Sequence, residues 1–229
     1  MSGVWSRIEA FCTGPGALNR VFILWLIALA WTVLLQCAGV MPLKEALSEA
    51  LAGLRSGAMA APEGCDAAAL AAQAEPGAFF DARLREYGVE EARGLLCLAS
   101  AGEGLGRAVY LDRVFPLDMV YPLLYGPAVA ALVLFSLSRA FPDWRHRLGM
   151  RPLRRLVTVW PLFGSVADLF ENFMVRALLR AGPAQIDPGL VENASALTNL
   201  KWAILLGSLA LAAALLVSWA ARSALRPRS

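Results

Sequence analysis

Four apolar stretches divide the chain, and each has the length of a membrane-crossing helix. They lie at residues 21–40, 117–137, 156–179 and 196–220. A transmembrane helix needs about 20 mainly apolar residues to cross roughly 30 Å of hydrocarbon. The first stretch contains no charged residue. Because its apolar core exceeds the roughly 7 to 15 residues of a signal peptide, we interpret it as an uncleaved anchor.

The segments between these stretches differ in charge and pattern. Residues 41–116 are net acidic and begin with leucines and alanines at helical spacing, which predicts a helical insertion. The loop 180–195 is short and contains glycine and proline. The loop 138–155 is the most basic part of the chain, with six arginines: Arg139, Arg145, Arg147, Arg151, Arg154 and Arg155. Because short basic loops stay in the cytoplasm, this loop is predicted to lie inside, with 41–116 and 180–195 outside.

These patterns predict an all-α polytopic membrane protein: four transmembrane helices with an extracytoplasmic helical insertion between the first and the second. An even number of spans places the N-terminus (1–20) and the basic tail (221–229) in the cytoplasm. The composition agrees, because 58% of the residues are hydrophobic and the mean hydropathy is +0.56.

Composition also limits the chemistry. The net charge of +3 is small, and the basic residues lie at segment ends, so nucleic acid is not an expected partner. A single histidine excludes a multi-histidine metal site and a histidine-based triad. No metal or cofactor is predicted. The lipid bilayer is the predicted partner, with other membrane proteins or a second copy of the chain as further candidates.

The third apolar stretch carries the candidate site. Asp168, Glu171 and Asn172 lie near its middle, three and four residues apart, so they share one face of a helix. A carboxylate in hydrocarbon costs a few kcal/mol or more, and such residues face a protein interior or an aqueous cavity. The spacing therefore predicts a polar site inside a membrane protein.

Other segments place polar residues at a similar depth. Asp118, Tyr121 and Tyr125 begin the second stretch, Lys201 lies in the fourth, and Arg107 precedes the second. With a rise of about 1.5 Å per residue, these positions fall in the outer half of the membrane. We expect a polar pocket that opens outward under the insertion, with Lys201 or Arg107 as the counter-ion of a carboxylate in the third stretch.

Several functions fit such a pocket. The first hypothesis is a binding or accessory protein that holds a small polar or amphipathic ligand, such as a lipid headgroup. The second is an intramembrane enzyme in which Asp168 and Glu171 act as acid and base. The third is a subunit of a larger membrane complex. Polar residues that only hold helices together are the structural alternative, since such contacts contribute about 0.6 to 2 kcal/mol.

The cysteines leave one pairing open. Cys65 and Cys97 both fall in the insertion, where an extracytoplasmic location would let a disulfide persist. Cys37, at the outer end of the first stretch, competes with them as a partner.

Four short motifs carry a resemblance. They are Gly-Arg-Ala-Val-Tyr at 106–110, Asp-x-x-Tyr-Pro-x-x-Tyr at 118–125, Asp-x-x-Glu-Asn at 168–172 and Leu-Lys-Trp at 200–202. Over roughly residues 80–220 the chain resembles small, uncharacterised bacterial membrane proteins with four spans. That resemblance implies no activity. The alanine- and arginine-rich composition suggests a bacterium with a GC-rich genome, and the compartment is then expected to be an inner (plasma) membrane with a periplasmic exterior.

Overall fold

The computed structural model describes residues 2–71, 87–142 and 151–225. The sequence predictions for parts of the insertion (72–86), the basic loop (143–150) and the tail (226–229) lie outside these residues. Every regular element in the described part is helical. The α-helices are α1 (Ser2–Thr13), α2 (Ala17–Leu35), α3 (Met41–Ser56), α4 (Ala67–Ala71), α5 (Val89–Val109), α6 (Phe115–Ala140), α7 (Arg151–Ala181) and α8 (Pro188–Ala224). Residues Pro183–Gln185 form a short 3₁₀ helix.

Three helical segments in the described part of the chain are long and apolar enough to cross a membrane. They are Ala17–Ser56, Val89–Ala140 and Pro188–Ala224, and they contain the first, second and fourth predicted spans. The third predicted span lies in α7, whose 31 residues correspond to about 46 Å. Its charged residues make this helix amphipathic rather than uniformly apolar. The all-α prediction is therefore confirmed for the described residues, with three apolar membrane-length helices.

Two π-helical turns, Gln36–Val40 and Tyr110–Val114, keep the first two of these segments continuous. Each turn ends two residues before a proline, Pro42 or Pro116. A proline ring clashes with the carbonyl four residues earlier and offers it no N–H. A π-helical turn changes the hydrogen-bond ladder locally, so the helix passes the proline instead of ending there.

The chain forms two compact units. The first unit comprises Met1–Leu29, Leu123–Val166 and Lys201–Ser229, and the second comprises Ala30–Pro122 and Ala167–Leu200. The core of the first unit is formed mainly by apolar side chains of α1, α2 and α6. The larger core of the second unit contains side chains of α3 and α5. It also contains side chains from the end of α2, the start of α6, the end of α7 and the start of α8.

The described part of the region predicted as the insertion contributes to the core of the second unit. One face of α3 is buried at helical spacing, with Leu43, Ala46, Leu47, Ala50, Leu51 and Leu54. Cys65 and Cys97 are joined by a disulfide, with their Cα atoms 5.9 Å apart. Helix α5 is interrupted at Ala101–Gly104, where Gly102, Glu103 and Gly104 adopt positive φ. Two of these three residues are glycines, which tolerate a left-handed backbone.

Candidate functional site

Helix α7 has an inverted distribution of polar and apolar side chains. Large apolar residues on one side are about half exposed, between 47% and 57%: Trp160, Phe163, Val166, Phe170 and Phe173. Polar residues on the other side are at most 6% exposed: Ser165, Asp168, Glu171 and Asn172. A helix on a protein surface in water turns its polar face outward. The arrangement in α7 is the one expected of a helix whose outer face contacts lipid and whose polar face lines a protein interior.

Glu171 is held by a hydroxyl of the neighbouring helix α8. The Oγ1 hydroxyl of Thr198 donates to Glu171 Oε1 at 2.5 Å. The same Oγ1 lies 3.1 Å from the carbonyl oxygen of Ala194, one turn earlier in α8. Both Glu171 and Thr198 have no exposed surface. This is therefore a fully buried hydrogen bond between two helices of the second unit.

Asn172, the next residue of α7, reaches helix α6. Its Nδ2 donates to the backbone carbonyl of Asp118 at 3.4 Å. The side chain has no exposed surface, and its Oδ1 has no hydrogen-bond partner among the described residues. Helices α6, α7 and α8 thus meet at one polar cluster, which we define as Asp118, Glu171, Asn172 and Thr198. Within this cluster the Asn172 Oδ1 is a buried acceptor that could receive a further hydrogen bond.

An aromatic and cationic layer lies one turn further along α7. The guanidinium of Arg176 lies 4.6 Å from the centre of the Phe115 ring. The Phe115 ring also packs edge-on against Phe173, with centroids 6.3 Å apart. On the α6 side, the Trp31 indole N–H donates to the carbonyl of Leu117 at 2.9 Å. These contacts fix the start of α6 beside the polar cluster.

The region predicted as the insertion is tied to the adjoining ends of α7 and α8 within the second unit. The backbone N–H of Tyr87 donates to Ser195 Oγ at 3.0 Å. Arg107 Nη2 donates to the carbonyl of Arg180 at 3.2 Å, near the C-terminus of α7. A basic side chain suits that position, because the last carbonyls of a helix lack intrahelical donors. Gly64 packs beside Ala184, at the 3₁₀ helix that follows α7.

The residues predicted from the sequence occupy the following places in the structure. Asp118, Glu171 and Asn172 belong to the polar cluster. Asp168 is buried in the same part of α7, and Tyr121 packs half-buried against the core of the second unit. Tyr125 and Lys201 are also buried but belong to the first unit. Arg107 binds the end of α7, as described above.

Sequence reasoning missed the role of Ser195 and Arg107 as tethers. For Ser195 a signal existed, because it lies on a stripe of fully buried residues at helical spacing in α8: Val191, Ala194, Ser195 and Thr198. Such a stripe of small and polar residues is typical of a helix–helix interface in a membrane. For Arg107 no pattern in the sequence indicated the carbonyl that it binds.

The fold and the polar cluster define an all-helical protein with membrane-length apolar helices and a buried polar site. No protein-family model, curated protein or solved structure matches the chain. Among the described residues, no group of three or more histidine, cysteine or carboxylate side chains is arranged to hold a metal ion. Function must therefore be inferred from the polar cluster itself.

Proposed function

We propose that this chain is a four-span membrane protein that binds a small polar or amphipathic ligand at the polar cluster of the second unit. The observation that carries the proposal is the inverted amphipathicity of α7, which has half-exposed aromatic side chains on one side and buried Asp168, Glu171 and Asn172 on the other. Intramembrane ionisable residues usually mark a functional site. In this proposal α7 also crosses the membrane, as the third of the four spans.

The proposed topology places both termini in the cytoplasm and the insertion outside, in a bacterial inner membrane. Two observations support it. The disulfide between Cys65 and Cys97 belongs to the insertion, and disulfides persist mainly in oxidising, extracytoplasmic compartments. Arginines begin α7 and end α8, on the side that the positive-inside rule assigns to the cytoplasm.

The hydrogen-bond acceptors of the cluster restrict the kind of ligand that can bind. Glu171 offers a carboxyl group, and Asn172 Oδ1 is a buried acceptor without a donor among the described residues. A buried acceptor left without a partner costs about 1–3 kcal/mol, so a bound donor there is favoured. The preferred ligand therefore carries N–H or O–H groups, as an ethanolamine or glycerol headgroup of a lipid does. The Tyr87–Ser195 and Arg107–Arg180 contacts support the insertion as the cover of this site.

Binding accounts for these features better than catalysis. One oxygen of Glu171 is occupied by the Thr198 hydroxyl, which fixes the side chain in one position. A general base must be able to reach the proton that it removes. A side chain fixed in this way is better suited to hold a ligand.

Short-chain phosphatidylethanolamine and phosphatidylcholine test the proposal, because only the former carries N–H donors. Native mass spectrometry of the purified protein should show preferential retention of phosphatidylethanolamine by the wild type. The variants Glu171→Gln and Asn172→Leu should reduce that preference about tenfold or more, the magnitude of a lost charge-assisted hydrogen bond. Glu192→Gln, at an exposed position of α8, is the matched control and should bind as the wild type does.

Two results would contradict the proposal. One is equal retention of the two lipids by the wild type. The other is a set of cluster variants that unfold more easily but keep the wild-type preference. Either result would assign the cluster to helix packing alone.

A further inference from the structure

An apolar cavity of about 460 Å³ lies within the first unit, separate from the polar cluster. Its volume falls in the range of roughly 300–1,000 Å³ typical of small-molecule sites. Side chains of α1, α2, α6 and α7 line it, among them Trp5, Ile8, Phe11, Leu24, Leu134 and Leu162. The hydroxyl of Thr158, which also lines it, donates to the carbonyl of Arg154 at 2.9 Å and is thereby satisfied within α7.

Helix α1 is fixed as one wall of this cavity. Glu9 forms an ion pair with Arg154 of α7. The Arg155 guanidinium lies 5.8 Å from the centre of the Trp5 ring. Arg20 donates to three carbonyls at and just after the end of α1, those of Ala10, Phe11 and Pro15. The cavity is thus bounded by specific polar contacts on the α1 side as well as by apolar packing.

Arg7 differs from the other arginines around α1 in its contacts. It lines the cavity and is exposed, and it makes no ion pair, hydrogen bond or ring contact with any residue that the structure describes. The guanidinium groups of Arg20, Arg154 and Arg155 each have a described contact. Arg7 is the charged side chain among the described residues that line the cavity. It therefore gives the rim of the cavity a positive charge and a guanidinium available for an anion.

The exposed side chains of α1 suit a membrane interface. Val4 is 65% exposed, and Ile8 and Phe11, which also line the cavity, are 40% and 41% exposed. All three share the helix with Arg7. Apolar exposure combined with basic residues is typical of a helix that lies at the boundary between headgroups and acyl chains. At that depth a guanidinium meets lipid phosphates while the cavity meets acyl chains.

We propose that this cavity seats one acyl chain of an anionic phospholipid whose phosphate binds Arg7. The apolar lining accepts the chain, and the guanidinium binds phosphate oxygens in a bidentate geometry. The net positive rim selects a lipid with net negative charge over a zwitterionic one. This site is independent of the ligand proposed for the polar cluster, because the two share no residue.

Native mass spectrometry of the full-length protein, titrated with dipalmitoyl phosphatidylmethanol or dipalmitoyl phosphatidylcholine in detergent, tests the proposal. The headgroup of phosphatidylmethanol is anionic but has no N–H or O–H donor, so the polar cluster should not select it. The wild type should retain one phosphatidylmethanol in preference to phosphatidylcholine. Arg7→Gln should lower that preference about fivefold, the contribution of one basic residue at an anionic membrane surface. Arg222→Gln removes the same charge from another part of the first unit and should leave the preference unchanged.

A second pair of variants tests the cavity. Val159→Trp places a large ring in the cavity from α7, where Val159 lines it, and should abolish retention of the lipid. Val166→Trp makes the same change at a 47% exposed position of the same helix outside the cavity and should bind as the wild type does. Equal retention of the two lipids by the wild type would overturn the proposal, as would unchanged preference in Arg7→Gln. Since Arg7 is exposed, its variant remains informative if Val159→Trp fails to fold.

Discussion

Thr198→Val removes the hydroxyl that binds Glu171 and keeps nearly the same shape. The lost hydrogen bond has a donor–acceptor distance of 2.5 Å, and both side chains have no exposed surface. A buried polar group that loses its partner costs about 1–3 kcal/mol, while interhelical hydrogen bonds in membranes average about 0.6 and reach about 1.7 kcal/mol. This bond is short and fully buried. We therefore expect the free energy of unfolding to fall by about 1.5 kcal/mol, near the upper value for interhelical hydrogen bonds in membranes.

Thr158→Val is the matched control for this measurement. Thr158 is also a buried threonine, but its hydroxyl donates only to the carbonyl of Arg154 in its own helix. Thr198 has the equivalent contact, with the carbonyl of Ala194. The difference between the two variants therefore isolates the bond to Glu171. The control should lose less than about 0.5 kcal/mol, since such back-bonding within a helix contributes little.

Unfolding by SDS in mixed micelles, followed by far-ultraviolet circular dichroism, measures both changes. A double-mutant cycle that combines Thr198→Val with Glu171→Gln then gives the coupling between the two side chains. We expect a coupling energy of about 1 kcal/mol, since residues in direct contact couple by roughly 0.5–3 kcal/mol. Equal losses in Thr198→Val and Thr158→Val, together with zero coupling, would refute the interhelical bond and the polar cluster built on it.

Close packing and thiol chemistry give two further predictions. A Cβ at Gly126 would overlap the Ser165 hydroxyl and come within 2.9 Å of Ser165 Cβ, so Gly126→Ala should lower stability by about 1–3 kcal/mol. Adding Ser165→Gly to Gly126→Ala should restore the stability. The control Gly207→Ala has open space around it and should leave the stability unchanged. Equal effects of the two alanine substitutions on stability would contradict this packing. Burial raises the pKa of the Cys12 thiol to about 11, an effect that a nearby arginine only partly offsets. At pH 7.5 Cys12 should therefore react with maleimide far more slowly than the exposed Cys37, and its rate should still rise towards pH 10. Comparable labelling of the two cysteines at pH 7.5, read by peptide mass spectrometry, would contradict this prediction.

The polar face of α7 could be predicted because its signal is local. Asp168, Glu171 and Asn172 share a face through helical spacing alone, and a membrane setting, as predicted from the sequence, would make that face the buried one. Their partners are set by how different helices pack, which spacing within one helix does not contain. Depth along the membrane normal indicated that α6 and α8 contribute, yet it could not select the Thr198 hydroxyl or the Asp118 carbonyl as the contacting atoms.

Depth along the membrane normal gives the height of a residue but leaves the rotation of its helix undetermined. Lys201 was expected beside a carboxylate because its predicted depth is similar, and the structure shows that it is buried. Its role as the counter-ion of a carboxylate in α7 stays a prediction.

Two π-helical turns explain why the helices continue past prolines at which the sequence pattern suggests an end. A residue before proline is biased away from helical conformation, so a junction at Met41-Pro42 or Phe115-Pro116 normally indicates a helix end. Here each proline follows a π-helical turn, and the helix continues from an apolar segment into the insertion. Gly39 in the first of these turns would place a Cβ only 3.4 Å from the Cα of Val114 in the second. The two π-helical turns, through which the chain enters and leaves the region predicted as the insertion, therefore pack against each other. That continuity makes the region predicted as the insertion an extension of the apolar helices, and the contacts of Ser195 and Arg107 tie it further to α8 and α7.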